Sequence, residues 1–268
     1  MAAKTTPAEA APGSATTAGS ASGAEAAAAP LLRVSGLAVA YGSTTVLDDV
    51  SFSVSPGELL AFLGANGSGK STTLRAVAGL TPHQGGKIEI GGEHGRPAMV
   101  FQKIHLVARR SVLDNVCAGA LSRMPVASSL HPWFYPAAIR REAMVALDRV
   151  GLAEKATLRA GTLSGGQQQR VAIARALCQG AEVLLADEPV AALDPEAART
   201  VMGLLRDLAH DEGLAVAAVL HQPDLAREFA DTVIGLRSGE IVLRGRASEV
   251  PAEEITGLYT PMTNSESK

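Results

Sequence analysis

The sequence predicts an α/β fold with a mixed, mostly parallel core sheet, a small antiparallel β-subdomain and a helical subdomain. Residues 31–54 alternate apolar and polar side chains around a turn at residues 41–43, which is typical of half-buried antiparallel strands. The apolar run 58–63 leads into a glycine-rich loop and a helical stretch at 70–78, which together make a strand–loop–helix unit. The folded part therefore begins with a small sheet and continues with the first unit of an α/β layer.

Two later segments predict strands that are buried on both faces of a parallel sheet. Residues 183–186 and 215–220 are short, unbroken apolar runs bounded by turn residues. Between them Pro195, a residue favoured in the first turn of a helix, precedes apolar residues at helical spacing. These apolar residues are Ala198, Val201, Leu205 and Leu208. The pattern predicts a crossover helix between two parallel strands.

The domain organisation follows from composition. Residues 1–30 are mostly Ala, Ser, Thr, Gly and Pro and predict a disordered extension, and residues 260–268 predict a polar tail. Residues 31–259 form the expected domain, with a helical subdomain at about 103–162. An apolar stripe within that subdomain predicts a helix and consists of Ile139, Ala143, Ala146, Leu147 and Val150. No run approaches the roughly 18 apolar residues that a membrane span requires.

Composition and charge exclude several classes of protein. Hydrophobic residues make up 47% and charged residues 19% of the chain, which is ordinary for a globular protein and unlike a disordered or collagen-like one. The 24 Lys and Arg against 27 Asp and Glu give a net charge of -3, which disfavours nucleic acid as a partner. Cys117 and Cys178 lack metal-ligand spacing and are expected to be small core residues in a reducing cytoplasm.

One segment matches the phosphate-binding pattern GxxxxGK(S/T), between a predicted strand and a predicted helix. Its residues are Gly64, Ala65, Asn66, Gly67, Ser68, Gly69, Lys70, Ser71 and Thr72. The glycines let successive amides close around a phosphate, and the following helix directs its positive end at the same point. We expect Lys70 to reach the terminal phosphates and the Ser71 hydroxyl to bind Mg²⁺.

A pair of carboxylates follows the predicted strand 183–186. Asp187 is the expected Mg²⁺ ligand. Adjacent residues at a strand end point apart, so Glu188 can face an attacking water and accept its proton. A surface Asp-Glu pair that caps the next helix is the alternative interpretation, but the preceding apolar residues bury one side of the pair.

A second motif precedes an alanine-rich helical run. In it Ser164, which is followed by Gly165, Gly166 and Gln167, can cap the helix and leave backbone amides facing an anion. One nucleotide loop with two phosphate-receiving helix ends indicates that the second end serves the nucleotide of a partner subunit. The sequence LSGGQ, together with the phosphate loop and LLADEP, resembles the nucleotide-binding subunits of ATP-binding cassette (ABC) transporters over residues 31–245.

This resemblance implies a P-loop NTPase fold of the ABC ATPase type and a Mg²⁺-dependent ATPase whose catalytic residues are Glu188, His221, Gln102 and Lys70. It implies that Tyr41 stacks on adenine and that Gln102 senses the metal and the attacking water. It also implies that Asp194 lies in a loop that crosses a head-to-tail homodimer interface and that His221 contacts the γ-phosphate. Taken alone, Tyr41 is as well explained as a core or turn aromatic, and His221 as an ordinary strand-end histidine.

Further features resemble the ATPases of phosphonate importers. They are residues 111–116, an aromatic segment at 132–135, the triple glutamine 167–169, and Gln222 directly after His221. The resemblance implies a peripheral protein at the cytoplasmic face of the membrane, with an integral membrane permease and an extracytoplasmic solute-binding protein as partners. The aromatic residues Trp133, Phe134 and Tyr135 either dock on that permease or close the core of the helical subdomain.

Three other functions remain open on the sequence. An importer ATPase for another small solute would share these motifs. A soluble cassette ATPase that acts on ribosomes or DNA usually carries two cassettes or long coiled coils, and this chain has neither. A regulatory module that holds ATP without hydrolysing it would be expected to lack Glu188 or His221, and both are present.

Overall fold

The computed structural model describes residues 29–93, 95–124 and 135–259. The predicted extension up to residue 28, the predicted tail at 260–268, and Trp133 and Phe134 lie outside the described residues. The strands are β1 (Leu32–Tyr41), β2 (Thr44–Val54), β3 (Leu59–Leu63), β4 (Gly85–Ile90), β5 (Ala98–Val100), β6 (Val183–Asp187), β7 (Ala215–Val219), β8 (Thr232–Arg237) and β9 (Glu240–Arg246). The helices are α1 (Lys70–Val77), α2 (Val112–Cys117), α3 (Ala137–Arg149), α4 (Gly165–Leu177), α5 (Pro195–His210), α6 (Pro223–Phe229) and α7 (Ala252–Gly257).

The smaller sheet is antiparallel and has the strand order β2-β1-β4. Strand β1 pairs with β2 from Leu32 opposite Val54 to Tyr41 opposite Thr44, so the hairpin turn falls at Gly42 and Ser43, where the sequence predicts it. The alternating pattern of the sequence gives β1 one face in the core, since Leu32, Val34, Leu37 and Val39 are buried. This sheet confirms the predicted antiparallel β-subdomain.

The larger sheet has the strand order β5-β6-β7-β3-β8-β9. Its pairings are parallel from β5 to β8, and β9 joins antiparallel to β8 at the edge. Every residue of β3, β6 and β7 is buried, as expected for parallel strands covered on both faces. The predicted mixed, mostly parallel core sheet is confirmed.

Two apolar layers cover the larger sheet. On one side Leu60 and Phe62 of β3 pack with α1 and the smaller sheet, and the rings of Phe62 and Phe52 meet edge to face. On the other side Leu59, Ala61 and Leu63 pack with α4, α5 and the helical region. The carboxyl ends of β3, β6 and β7 therefore lie between two packed layers, which fixes the loops that follow them.

The helical region matches the predicted stripe. Helix α3 buries Ile139, Ala143, Ala146 and Leu147. Cys117 and Cys178 are buried, as predicted for small core residues, and burial raises the pKa of the Cys117 thiol to about 12. Among the described residues no helix has the length and apolar character needed to cross a bilayer.

Candidate nucleotide site

A cavity of about 1050 Å³ opens where the parallel strands end at their carboxyl edge. Eleven of the predicted site residues line it: Tyr41, Ala65, Asn66, Gly67, Gly69, Lys70, Ser71, Thr72, Gln102, Glu188 and His221. Gly64, Ser68 and Asp187 support this set without lining the cavity. The space is large enough for a nucleotide, since ligand cavities typically measure about 300 to 1000 Å³.

Two glycines let the phosphate loop take its shape. Gly64 has a φ of 139°, and a Cβ there would lie 2.2 Å from the carbonyl oxygen of Leu236. Gly69 has a φ of 104°, and a Cβ there would lie 2.5 Å from the side chain of Leu47. A larger residue at either position would force the loop away from its neighbours, so the loop depends on these glycines.

The loop presents donors that fit a phosphate. Gly69 precedes helix α1 and offers no side-chain cap, so the first amides of the helix remain available to an anion. The Ser68 hydroxyl is buried and has no hydrogen-bond partner among the described residues. Such an orphaned donor beside free amides is the arrangement that a phosphate would satisfy.

Lys70 is the cation of the cavity. It is 4% exposed, and its Nζ donates to the carbonyl oxygens of Gly64 at 2.8 Å and Ala65 at 2.9 Å. Burial lowers the pKa of the ammonium, and the nearby carboxylates of Glu188 and Asp187 oppose that shift. The lysine is therefore held inside the loop, ready to meet a negatively charged ligand.

The predicted metal ligands fall into two groups. Ser71 Oγ donates to Asp187 Oδ1 at 2.5 Å, and Arg75 lies 3.3 Å from the other carboxylate oxygen. A hydroxyl and a carboxylate are hard oxygen donors of the kind that Mg²⁺ binds together with phosphate oxygens. Among the described residues Gln102 makes no hydrogen bond to either of these two, and its Nε2 instead donates to Glu188. The residues present fit Mg²⁺ at Ser71 and Asp187.

Glu188 stands at the centre of a second polar group. Gln102 Nε2 lies 2.5 Å from one of its carboxylate oxygens and His221 Nε2 lies 2.6 Å from the other. Its backbone has a φ of 51°, in the left-handed region that non-glycine residues seldom adopt. Asp187 and Glu188 thus contact different partners, as expected for neighbours that point apart at the end of β6.

The second motif forms a separate cavity of about 260 Å³. Ser164, Gly166 and Gln167 line it at the start of α4, together with Asp194, which caps α5 by accepting from the Ala197 amide at 2.9 Å. Gly165 is the first residue of α4. None of these residues lines the larger cavity, so the described chain does not bring its two motifs together.

The structure adds three residues that the sequence motifs do not include. Val46 and Tyr259 line the larger cavity, and the Gly64 amide donates to the Tyr259 hydroxyl at 3.4 Å. Arg75 is the ion-pair partner of Asp187. Its position one turn after Ser71, on the same face of a helix, is a signal that could have identified it. Tyr259 lies far from any motif and gives no such signal.

A family model, curated relatives and solved structures all match this chain to the same family. The family model described as ABC transporter matches residues 47–191. A relative in Frankia casuarinae, named "Phosphonates import ATP-binding protein PhnC", is 48% identical over 240 residues, which cover 85% of this chain and 94% of the relative. A relative of the same name in Caulobacter vibrioides is 43% identical over 249 residues, covering 87% and 94%.

Solved structures agree with the fold. A metal-chelate type ABC transporter in an inward-facing conformation matches with a TM-score of 0.75 and 31% identity, covering 85% of this chain and 88% of that one. The dimeric structure of MJ0796, a bacterial ABC transporter cassette, matches with a TM-score of 0.67 and 29% identity, covering 81% and 98%.

Proposed function

This chain belongs to the ABC transporter family, and we propose that it binds and hydrolyses ATP to energise the import of phosphonates. The observation that carries the ATPase activity is one cavity that holds the phosphate loop, Lys70 and the Glu188 carboxylate with His221 beside it. The proposed substrate class is supported by relatives named for phosphonate import, which match 85–87% of this chain.

ATP is proposed to lie with its phosphates on the amides of residues 64–72 and its adenine on Tyr41. Lys70 and the uncapped start of α1 stabilise the charge that develops on the phosphates. Catalysis then comes mainly from position and charge, because phosphoryl transfer needs little covalent help from the protein.

Glu188 is proposed as the general base. A water attacks the γ-phosphorus in line, the bond to the β–γ bridging oxygen breaks, and the water proton passes to Glu188. Each carboxylate oxygen makes one hydrogen bond and keeps a further lone pair, so Glu188 can take a proton while Gln102 and His221 stay in contact with it. If His221 instead turns from Glu188 towards the nucleotide, its ring nitrogen can donate to the γ-phosphate, and Gln102 keeps the carboxylate in place.

Ser71, Asp187 and Gln102 are the residues proposed to hold Mg²⁺. The ion, when bound, neutralises charge on the phosphate oxygens. Ser71 and Asp187 already share a hydrogen bond at 2.5 Å, and Asp187 as a whole residue is 2% exposed, so these two side-chain oxygens are fixed before any ligand arrives. Gln102 donates to Glu188 through Nε2, so its Oε1 is the atom that would bind the metal.

We propose that two copies pair head to tail, with Ser164, Gly165, Gly166, Gln167 and Asp194 of each chain facing the nucleotide of the other. The separation of the two cavities within one chain supports this arrangement. The proposed further partners are an integral membrane permease and an extracytoplasmic solute-binding protein. These partners would hold the dimer, as a peripheral component, at the cytoplasmic face of the membrane. Within each chain, residues 31–259 are proposed to form the ATPase domain, and residues 103–162 its helical subdomain.

The test is uptake in cells. A phosphorus-starved strain that carries Glu188→Gln at this locus is expected to lose growth on 2-aminoethylphosphonate and uptake of the labelled compound, while phosphate uptake stays normal. Glu228→Gln is the matched control, because Glu228 pairs with the exposed Arg199 outside the cavity. Normal phosphonate uptake in the Glu188→Gln strain would refute the substrate class and favour another importer or a soluble ATPase.

A further inference from the structure

We infer that Tyr259 is a positioning residue for ATP, which ties the C-terminal helix α7 to the first residue of the phosphate loop. The inference rests on the proposed use of the larger cavity for ATP. Tyr259 lines that cavity, although 195 positions in the sequence separate it from Gly64. Its contact with the loop is therefore made entirely by the tertiary fold.

The contact gives a buried amide its partner. Gly64 is buried at the point where the chain leaves β3, and its amide donates to the Tyr259 hydroxyl oxygen at 3.4 Å. A buried amide without a partner is costly, so this bond favours the observed loop over alternatives that leave the amide unpaired. Tyr259 thus acts on the conformation of the loop itself.

The hydroxyl has a hydrogen left to donate. A tyrosine hydroxyl can accept and donate at once, and among the described residues this one donates to no acceptor. Burial raises the pKa of Tyr259, so the hydroxyl keeps its proton at neutral pH. A ligand rich in acceptors, such as the oxygens of ATP, can use a donor that lines its cavity.

The ring is held in place by α7 and β8. Ile255 and Leu258 are buried, and the Arg237 guanidinium donates to the Gly257 carbonyl oxygen at 2.6 Å. A Cβ at Gly235 would lie 2.7 Å from the methyl carbons of Leu258, so the residue before Tyr259 packs directly on β8. The position of Tyr259 is therefore fixed relative to the strand beside β3.

The loop start is confined from two sides. On one side the Leu236 carbonyl leaves no room for a Cβ at Gly64, and the Tyr259 hydroxyl holds the Gly64 amide. Removal of the hydroxyl would release one of these constraints, and ATP binding would then have to reorder the loop. Tyr259 makes no hydrogen bond to Glu188, Gln102 or His221, so the chemical step itself should be unaffected.

The experiment uses the full chain and MgATP as the probe. Tyr259→Phe keeps the ring and removes the hydroxyl, and it is expected to raise both the Kd measured by calorimetry and the KM for ATP about fivefold to tenfold, which corresponds to about 1 to 1.4 kcal/mol. The kcat is expected to stay within about twofold of wild type, because the lost contact stabilises bound ATP and the transition state equally. Tyr135→Phe is the matched control, because Tyr135 is a partly buried tyrosine outside the cavity, and we expect wild-type values for it.

A second measurement needs no variant. MgATP should slow amide hydrogen exchange in residues 252–259 of the wild-type protein as well as in the phosphate loop. Protection of the loop with no change in residues 252–259 would overturn the inference. So would a Tyr259→Phe protein with a lowered unfolding temperature and an unchanged Kd, which is the result of a purely structural role. A wild-type protein that does not bind MgATP would refute the proposed function first.

Discussion

The N-terminal ends of helices α1 and α4 each face a cavity, and the two ends are built in opposite ways. The residue before α1 is Gly69, which has a left-handed backbone and no side-chain cap. The residue before α4 is Ser164, whose hydroxyl accepts from the Gln167 amide at 3.4 Å while the Gln167 side chain accepts from the Ser164 amide at 3.2 Å. The first backbone amides of α1 are therefore left for a ligand, whereas one of the first amides of α4 is already paired within the chain.

This difference shows which site is complete within one chain. The cavity at α1 measures about 1050 Å³ and holds a buried lysine together with a glutamate, a histidine and a glutamine. The cavity at α4 measures about 260 Å³ and is lined by one cation, Arg170, which donates to the Val150 carbonyl oxygen at 3.0 Å, and by no lysine or histidine among the described residues. The end of α4 can therefore contact an anion that another chain holds, but it has no phosphate loop and no histidine beside a glutamate with which to hydrolyse one alone.

The largest expected effect comes from removing the cation of the complete site. Lys70→Ala should weaken ATP binding roughly 100-fold, because a buried ammonium contributes about 3 kcal/mol through charged hydrogen bonds to an anion. The measurement is the Kd of MgATP by calorimetry. Lys87→Ala is the control, because Lys87 is an exposed residue paired with Glu89. A Kd for Lys70→Ala within a factor of about three of wild type would mean that α1 alone holds the phosphates, and the contrast between the helix ends would fail.

A smaller effect is expected at the other helix end. Ser164→Ala removes a cap and should lower the free energy of unfolding by about 1 kcal/mol. It should also reduce steady-state ATPase activity about tenfold, since the loss of a charged hydrogen bond across the dimer costs about 1.5 kcal/mol, while the Kd of ATP stays unchanged. Ser111→Ala is the matched control, because Ser111 caps α2 in the same way and lines neither cavity.

A mixing experiment separates the two helix ends directly. In a head-to-tail dimer, a Lys70→Ala chain paired with a Ser164→Ala chain contains one intact composite site and one site that carries both defects. At an ATP concentration that Lys70→Ala does not bind, the mixture of the two impaired proteins should therefore have more ATPase activity than either protein alone at the same total concentration. If activity does not rise although mixed dimers form, the two motifs do not serve one nucleotide from opposite chains.

The contrast also shows what the sequence could predict. Both sheets and helices α1, α3 and α5 could be predicted from local patterns. Alternation, apolar runs and helix caps are signals that lie in residues close together in the sequence. The helix predicted at 70–78 ends at Val77, a difference of one residue. The chain after β7 was not predicted, since β8 and β9 carry no motif and are defined by pairing with β3 and with each other.

The same limit applies to the candidate site. The phosphate loop, Asp187 and Glu188 could be located because strand ends and glycines mark them in the sequence. The contact between Tyr259 and Gly64 and the backbone of Glu188 could not, because tertiary packing creates both. Gln102 is predicted to sense the metal and the attacking water, and the structure adds its hydrogen bond to Glu188, which depends on the tertiary arrangement of the segments after β5 and β6.

The smallest expected effect concerns the rim of the complete site, at Tyr41. Its side chain is 55% exposed and lines the larger cavity, so it gains burial only if a base covers it. Stacking of a base on an aromatic ring is worth about 1 kcal/mol at the low end of its range, and Tyr41→Ala should therefore raise the KM for ATP about fivefold. Tyr41→Phe keeps the ring and should behave as wild type. An equal rise in the KM for ATP in both variants would show that the Tyr41 hydroxyl, and not stacking of the ring, binds the nucleotide. ATP binding at the α1 site would then depend on the phosphate loop and not on a stacked base at the rim.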